Sequence, residues 1–165
     1  MIRVSLFLVL MVAMLSLQGV AVAKGSVVNA ELFKHNSGCM EGPLAQFGRY
    51  LGKWNIEDSA YQQEDGSWKP GEGARWDFEC LGNGTAIQDF WLPPDGNVGT
   101  NLRTYNAKTG SWEIAWAINT LPGFAHISAR QDDDGNIVMH YVRPEPDPLR
   151  RITFFPPDAT GWNWK

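Results

Sequence analysis

Arg75-Trp76-Asp77-Phe78-Glu79-Cys80 alternates charged and apolar residues without a break, and Trp112-Glu113-Ile114-Ala115-Trp116 repeats the apolar beat. A two-residue period turns successive side chains to opposite faces, so one face of each segment meets a core and the other meets water. Working outward from these two segments, the same rhythm runs from Trp54 to the end of the chain, punctuated by Gly, Pro, Asp and Asn. It predicts strands over residues 54–62, 73–80, 85–92, 100–105, 111–118, 124–130, 136–142 and 149–155, and the start of a ninth at Gly161. Asn106-Ala107-Lys108-Thr109-Gly110 is a hairpin loop ending in glycine. So many short strands in series predict an all-β fold, an antiparallel up-and-down barrel of about eight to ten strands.

The strands are preceded by a different kind of sequence. Residues 1–23 carry one basic residue, Arg3, then an apolar run from Val4 to Leu17, then Ala21-Val22-Ala23 before Lys24. This is the pattern of a secretory signal peptide cleaved after Ala23, and it predicts a periplasmic or secreted protein without a retained membrane anchor. Residues 24–42 read as an irregular arm, and residues 43–165 as the barrel domain. Within the latter, Pro43 to Leu51 reads as a short helix, with Pro in its first turn, Leu44, Phe47 and Leu51 at helical spacing and Gly52 as its stop.

Composition narrows the partners. Without residues 1–23 the chain keeps 13 of its 14 basic residues against 18 acidic ones, which argues against nucleic acid or an anionic membrane. Two cysteines, Cys39 and Cys80, are the right number for one disulfide in an oxidising compartment, stapling the arm to the strand that Cys80 ends.

Gly52-Lys53-Trp54, directly after the short helix, resembles the G-x-W opening of lipocalins and other calycin barrels. Gly84-Thr85-Ala86-Ile87-Gln88-Asp89-Phe90-Trp91 followed by Gly99-Thr100-Asn101-Leu102-Arg103-Thr104-Tyr105 and Thr109-Gly110-Ser111-Trp112 is similar to a bacterial family of unknown function with a lipocalin-like fold. The resemblance spans residues 51–165 and implies a calycin-like barrel; it brings no catalytic residues with it. Members of that family continue past a Trp-x-Trp strand with a further hairpin. Here Gly161-Trp162-Asn163-Trp164-Lys165 begins an alternation and the chain stops, so the sequence reads as a fragment lacking its last strand or two.

Chemistry is sparse. Of the three histidines, His126 and His140 fall on adjacent strands and could together hold a metal or haem iron, while His35 lies in the arm; no metal-binding spacing is present, and no cofactor is expected. Asp132-Asp133-Asp134-Gly135-Asn136 lacks the order of a calcium loop and reads as a hairpin turn. Phe124, His126, Ser128 and Arg130 share one strand face; if that face is inside, it gives the barrel a polar patch able to grip a carboxylate or a phosphate, and if it is outside, Ala125, Ile127 and Ala129 face the core. Asp58 shares a face with Trp54 and Ile56 and is expected to point inward. Arg103 is expected to pair with Asp89 or Glu113 on neighbouring strands. The aromatic set Trp54, Trp76, Phe78, Phe90, Trp112, Trp116, Tyr141 and Phe154 is expected to line or fill the interior.

The leading expectation is an exported, non-catalytic barrel that binds a small apolar or aromatic ligand. An enzyme, such as an isomerase, cyclase or hydro-lyase, would need Asp58, His126 or Arg130 to converge on one cavity. A barrel filled by its own side chains would instead be an interaction domain.

Overall fold

The computed structural model describes residues 32–33, 36–145 and 147–165. The expected signal peptide and His35 lie outside the described residues. The fold is all-β: one curled, half-barrel antiparallel sheet of eight strands with a small hairpin beside it. In chain order the strands are β1 (Gly52–Ile56), β2 (Ser59–Tyr61), β3 (Trp68–Pro70), β4 (Ala74–Leu81), β5 (Ala86–Leu92), β6 (Gly99–Asn106), β7 (Ser111–Ile118), β8 (Ala125–Gln131), β9 (Ile137–Arg143) and β10 (Asp147–Phe154). The large sheet runs β1-β4-β5-β6-β7-β8-β9-β10, so each strand pairs with its neighbour in sequence once the β2-β3 hairpin is set aside.

That hairpin differs from the expectation of one long first strand over residues 54–62. The chain leaves the sheet after Ile56 because Asp58 pins a turn: its carbonyl accepts the Gly71 N–H at 2.8 Å and its Oδ1 accepts the Gly73 N–H at 2.8 Å. The expected helix over residues 43–51 is shorter than its spacing suggested. It is a 3-10 turn, Gly42–Leu44, running into one α-turn, α1 (Ala45–Gly48). The ninth strand is reduced to a bridge between Phe154 and Trp164, with the Thr153 N–H donating to the Lys165 carbonyl at 2.7 Å.

Antiparallel order places the ends Leu81, Asn106, Ser111, Gln131 and Phe154 at one end of the sheet and Ile56, Leu92, Gly99, Ile118, Ala125 and Arg143 at the other. The first end is closed by the arm. Cys39 is bonded to Cys80 as expected, Phe47 is fully buried, the Trp112 Nε1–H donates to Gln46 Oε1 at 2.8 Å, and the Tyr50 hydroxyl donates to the Phe155 carbonyl at 2.9 Å. Phe47, Tyr50, Phe78, Trp112 and Phe154 pack edge to face in this floor; Phe47 and Trp112 have centroids 4.8 Å apart. Burial of rings of this size is the main favourable contribution to the fold. Gly48 is required here, since a Cβ would stand 1.9 Å from the Cys39 carbonyl oxygen. Among the described residues no helix is long and apolar enough to cross a membrane.

Candidate functional site

Above the filled floor, a polar layer spans β5 and β6. Asp89 and Arg103 are fully buried and ion-paired through Oδ2 and Nη1, as one of the two sequence expectations had it. Asn101, opposite Asp89 in register, donates from Nδ2 to both carboxylate oxygens, at 3.0 and 3.2 Å. The Arg103 guanidinium lies over the rings of Phe47 (4.9 Å) and Phe78 (5.3 Å), which ties the arm to the sheet. Burial pulls the Arg103 pKa down, and the Asp89 carboxylate acts against that pull.

On the open side of this layer lies a cleft of about 170 Å³. Its walls are Trp76, Trp91, Trp116, Tyr141, Trp164, Ile127 and Ile152, and Asn101 adds a side-chain amide to the indoles and the phenol. Trp116 and Tyr141 also border an outer vestibule of about 410 Å³, with Leu121, Ala125, Pro144, Glu145 and Arg150. Arg150 stacks over the Tyr141 ring at 5.1 Å.

Two local features build this cleft. Gly99 faces inward on β6, and the Trp116 ring lies against it; a Cβ there would sit 2.3 Å from Trp116 Cη2. Trp164 packs on Trp76 at 5.7 Å and on Trp91 at 6.2 Å, so the bridge to β10 brings a wall to the cleft.

The expected lining set divides in three. Trp76, Trp116 and Tyr141 border the cleft. Phe78, Trp112 and Phe154 are floor, 0 to 1 % exposed, and Trp54 is half-buried, bonded through Nε1 to the Tyr50 carbonyl at 2.8 Å. Phe90 is a correction: it lies on the outer face in a shallow groove with Leu92, Val98, Thr100 and Ala117. The cause is Asp89. Alternation read by polarity alone puts Asp89 outside and Phe90 inside, whereas the buried ion pair reverses the faces of β5 and β6 and leaves Leu102 exposed. Trp91, Asn101 and Trp164 were missed for the same reason or because the last strand is so short. The available signal was the charge complementarity of Asp89 and Arg103 on adjoining strands.

The three candidate catalytic residues do not meet. Asp58 is not inside the barrel; it sits in the β1–β2 connection holding Gly73. Ile127 and Ala129 are buried, which turns His126, Ser128 and Arg130 to the outer face. There His126 Nε2 contacts Glu113 Oε2 on β7. His140 is exposed on β9, on the outer face opposite Ser128. None of these borders the cleft, and among the described residues no group of three His, Cys, Asp or Glu is arranged to hold a metal. The Asp132 turn is held by its own Oδ1, which accepts the Asn136 N–H at 2.8 Å, and hydrogen bonds chiefly from Asn136 lower the carboxyl pKa. No family model, curated protein or solved structure matches the chain.

Proposed function

We propose that this chain is an exported barrel that binds one small, flat, largely apolar molecule in the cleft at its open end. The observation that carries the reading is the contrast between the two ends: one is packed solid by the arm and its aromatic rings, the other keeps about 170 Å³ between indole, phenol and aliphatic walls. A dry cavity of about 150 Å³ accepts a benzene ring, so this one suits a single ring or two small fused rings. Rings between Trp91, Trp116 and Tyr141 have offset or edge contacts available to them. The lipocalin-like resemblance, the signal-like segment before Lys24 and the Cys39–Cys80 bond support an exported carrier or receptor. The placement of Asp58, His126 and Arg130 away from the cleft weighs against catalysis by that set.

Indane, a two-ring hydrocarbon, is a suitable probe. Titration of the full chain, followed by tryptophan fluorescence and calorimetry, is expected to show one saturable site. Ile152→Phe, which grows a side chain into the cleft, is expected to weaken binding about tenfold or more while the far-UV spectrum stays unchanged. Absence of saturable binding by indane and by smaller rings such as toluene overturns the reading.

A further inference from the structure

The β2–β3 hairpin carries two aromatic rings into solvent. Tyr61 and Trp68 stand opposite each other in register, with centroids 5.2 Å apart, and are 53 and 65 % exposed. Two large rings left side by side in water are unfavourable for the folded chain alone and mark a binding surface. The hairpin is well tied. The Gln62 N–H donates to the Ser67 carbonyl at 2.8 Å, Asp65 Oδ1 accepts the Ser67 N–H at 2.9 Å, and Asp58 holds the returning chain at Gly71 and Gly73. Trp68 is therefore presented with little ordering left to be done on binding. It borders an open groove of about 640 Å³ lined also by residues 55–59 and 162–165. Trp164 is the wall that this groove shares with the cleft; the other lining residues differ.

The groove is mixed in chemistry where the cleft is mostly apolar. Beside the indoles of Trp68, Trp162 and Trp164 stand the exposed polar side chains of Asn55, Glu57, Ser59 and Asn163. None of these four side chains bonds to another described residue, so their donors and acceptors are open to a ligand. Glu57 and Asp58 oppose an anion, and Lys165 opposes a cation. We infer that this groove binds a neutral oligosaccharide of two or three pyranose rings. A pyranose has a face of C–H groups that packs on an indole, and a rim of hydroxyls, each both donor and acceptor, that meets amides, a hydroxyl and a carboxylate. The volume lies within the range of small-molecule sites. A hydrocarbon ring would leave the polar side chains unused, and a nucleotide would bring its phosphates to Glu57 and Asp58. This site is separate from the proposed cleft ligand and does not depend on it.

The probes are neutral trisaccharides (cellotriose, maltotriose, mannotriose, xylotriose and triacetylchitotriose), with anionic trigalacturonic acid and cationic unacetylated chitotriose as charged comparators. Each is titrated into the full chain and followed by nuclear magnetic resonance. At least one neutral trisaccharide is expected to saturate, shifting the Trp68 indole N–H and the side-chain amides of Asn55 and Asn163. Both charged comparators are expected to bind more weakly than it does. Trp68→Ala is expected to weaken that binding about tenfold, the loss of one stacked ring, while Trp68→Phe keeps most of it. Indane binding in the cleft is expected to be unchanged in both variants, because Trp68 does not border the cleft. The inference is overturned if no neutral trisaccharide binds, if a charged one binds more tightly, or if Trp68→Ala binds as well as the unsubstituted protein. Should Trp68→Ala lose the hairpin, the shifts in the unsubstituted protein decide: saturation that leaves Trp68, Asn55 and Asn163 unmoved places the sugar elsewhere and refutes the site.

Discussion

Gly99→Ala is a one-methyl change whose consequence can be worked from the geometry of the cleft. The added Cβ would stand 2.3 Å from Trp116 Cη2, 2.8 Å from Cζ3 and 2.9 Å from Cζ2. To regain ordinary contact at 3.4 Å the ring has to retreat by about 1.1 Å. It cannot move toward β6, whose backbone lies behind the new methyl, so it moves into the cleft that it borders. Overpacking of this kind costs roughly 1–3 kcal/mol, while replacing glycine by alanine in a strand returns about 0.5–1 kcal/mol. The expected net loss is about 1–2 kcal/mol, read as a fall of roughly 1 M in the urea midpoint at a slope near 1.5 kcal/mol per M. Binding of a ring probe is expected to weaken by about tenfold or more, because the displaced indole takes up space in a cleft of only about 170 Å³. Trp116→Leu removes the clashing ring. Combined with Gly99→Ala it is expected to cost less than the sum of the two single changes, by about 1 kcal/mol or more. Equal or greater stability of Gly99→Ala, with strict additivity in the double variant, would refute the claim that Trp116 rests on Gly99.

Two further outcomes concern the layers beneath the cleft. Asp89→Asn leaves the fully buried Arg103 cation without its counter-charge and is expected to lower stability by about 3–5 kcal/mol in urea melts. The paired replacement Asp89→Leu with Arg103→Met is expected to recover most of that loss; a double variant as unstable as Asp89→Asn would mean that the pair is not what this layer depends on. Replacing Cys39 and Cys80 together by alanine opens a loop of 41 residues, and the chain-entropy relation gives a loss of about 4 kcal/mol. Hydrogen exchange at the Trp112 indole, which bonds to Gln46 on the arm, is expected to accelerate in the same variant. Unchanged exchange there would show that the arm seats on the floor without its covalent tie.

Much of the fold was legible in the sequence because strand rhythm and turn chemistry are local. The alternation from Arg75 to Cys80 reappears in β4 with Trp76, Phe78 and Cys80 buried in turn, and Asn106 to Gly110 forms the β6–β7 connection. Less was legible where a local rule met a non-local one. Asp58 continues the alternation of β1, yet its side chain serves a turn fifteen residues away at Gly73. Of the candidate site, Trp76, Trp116 and Tyr141 could be named in advance, whereas Trp91, Asn101 and Trp164 could not.

By itself, then, the amino-acid sequence determined that the chain forms antiparallel strands, where most of them turn, and that Cys39 and Cys80 could be joined. Those properties follow from side-chain period and from residues fitted to particular backbone angles. Only the tertiary structure decided which faces of β5 and β6 point inward, that one end is packed solid and the other left open, and that Trp164 closes a wall. The burial of Asp89 becomes tolerable only once Arg103 and Asn101 arrive from the next strand, and the cleft exists only because the curl of the sheet brings residues as distant as Trp76 and Trp164 together.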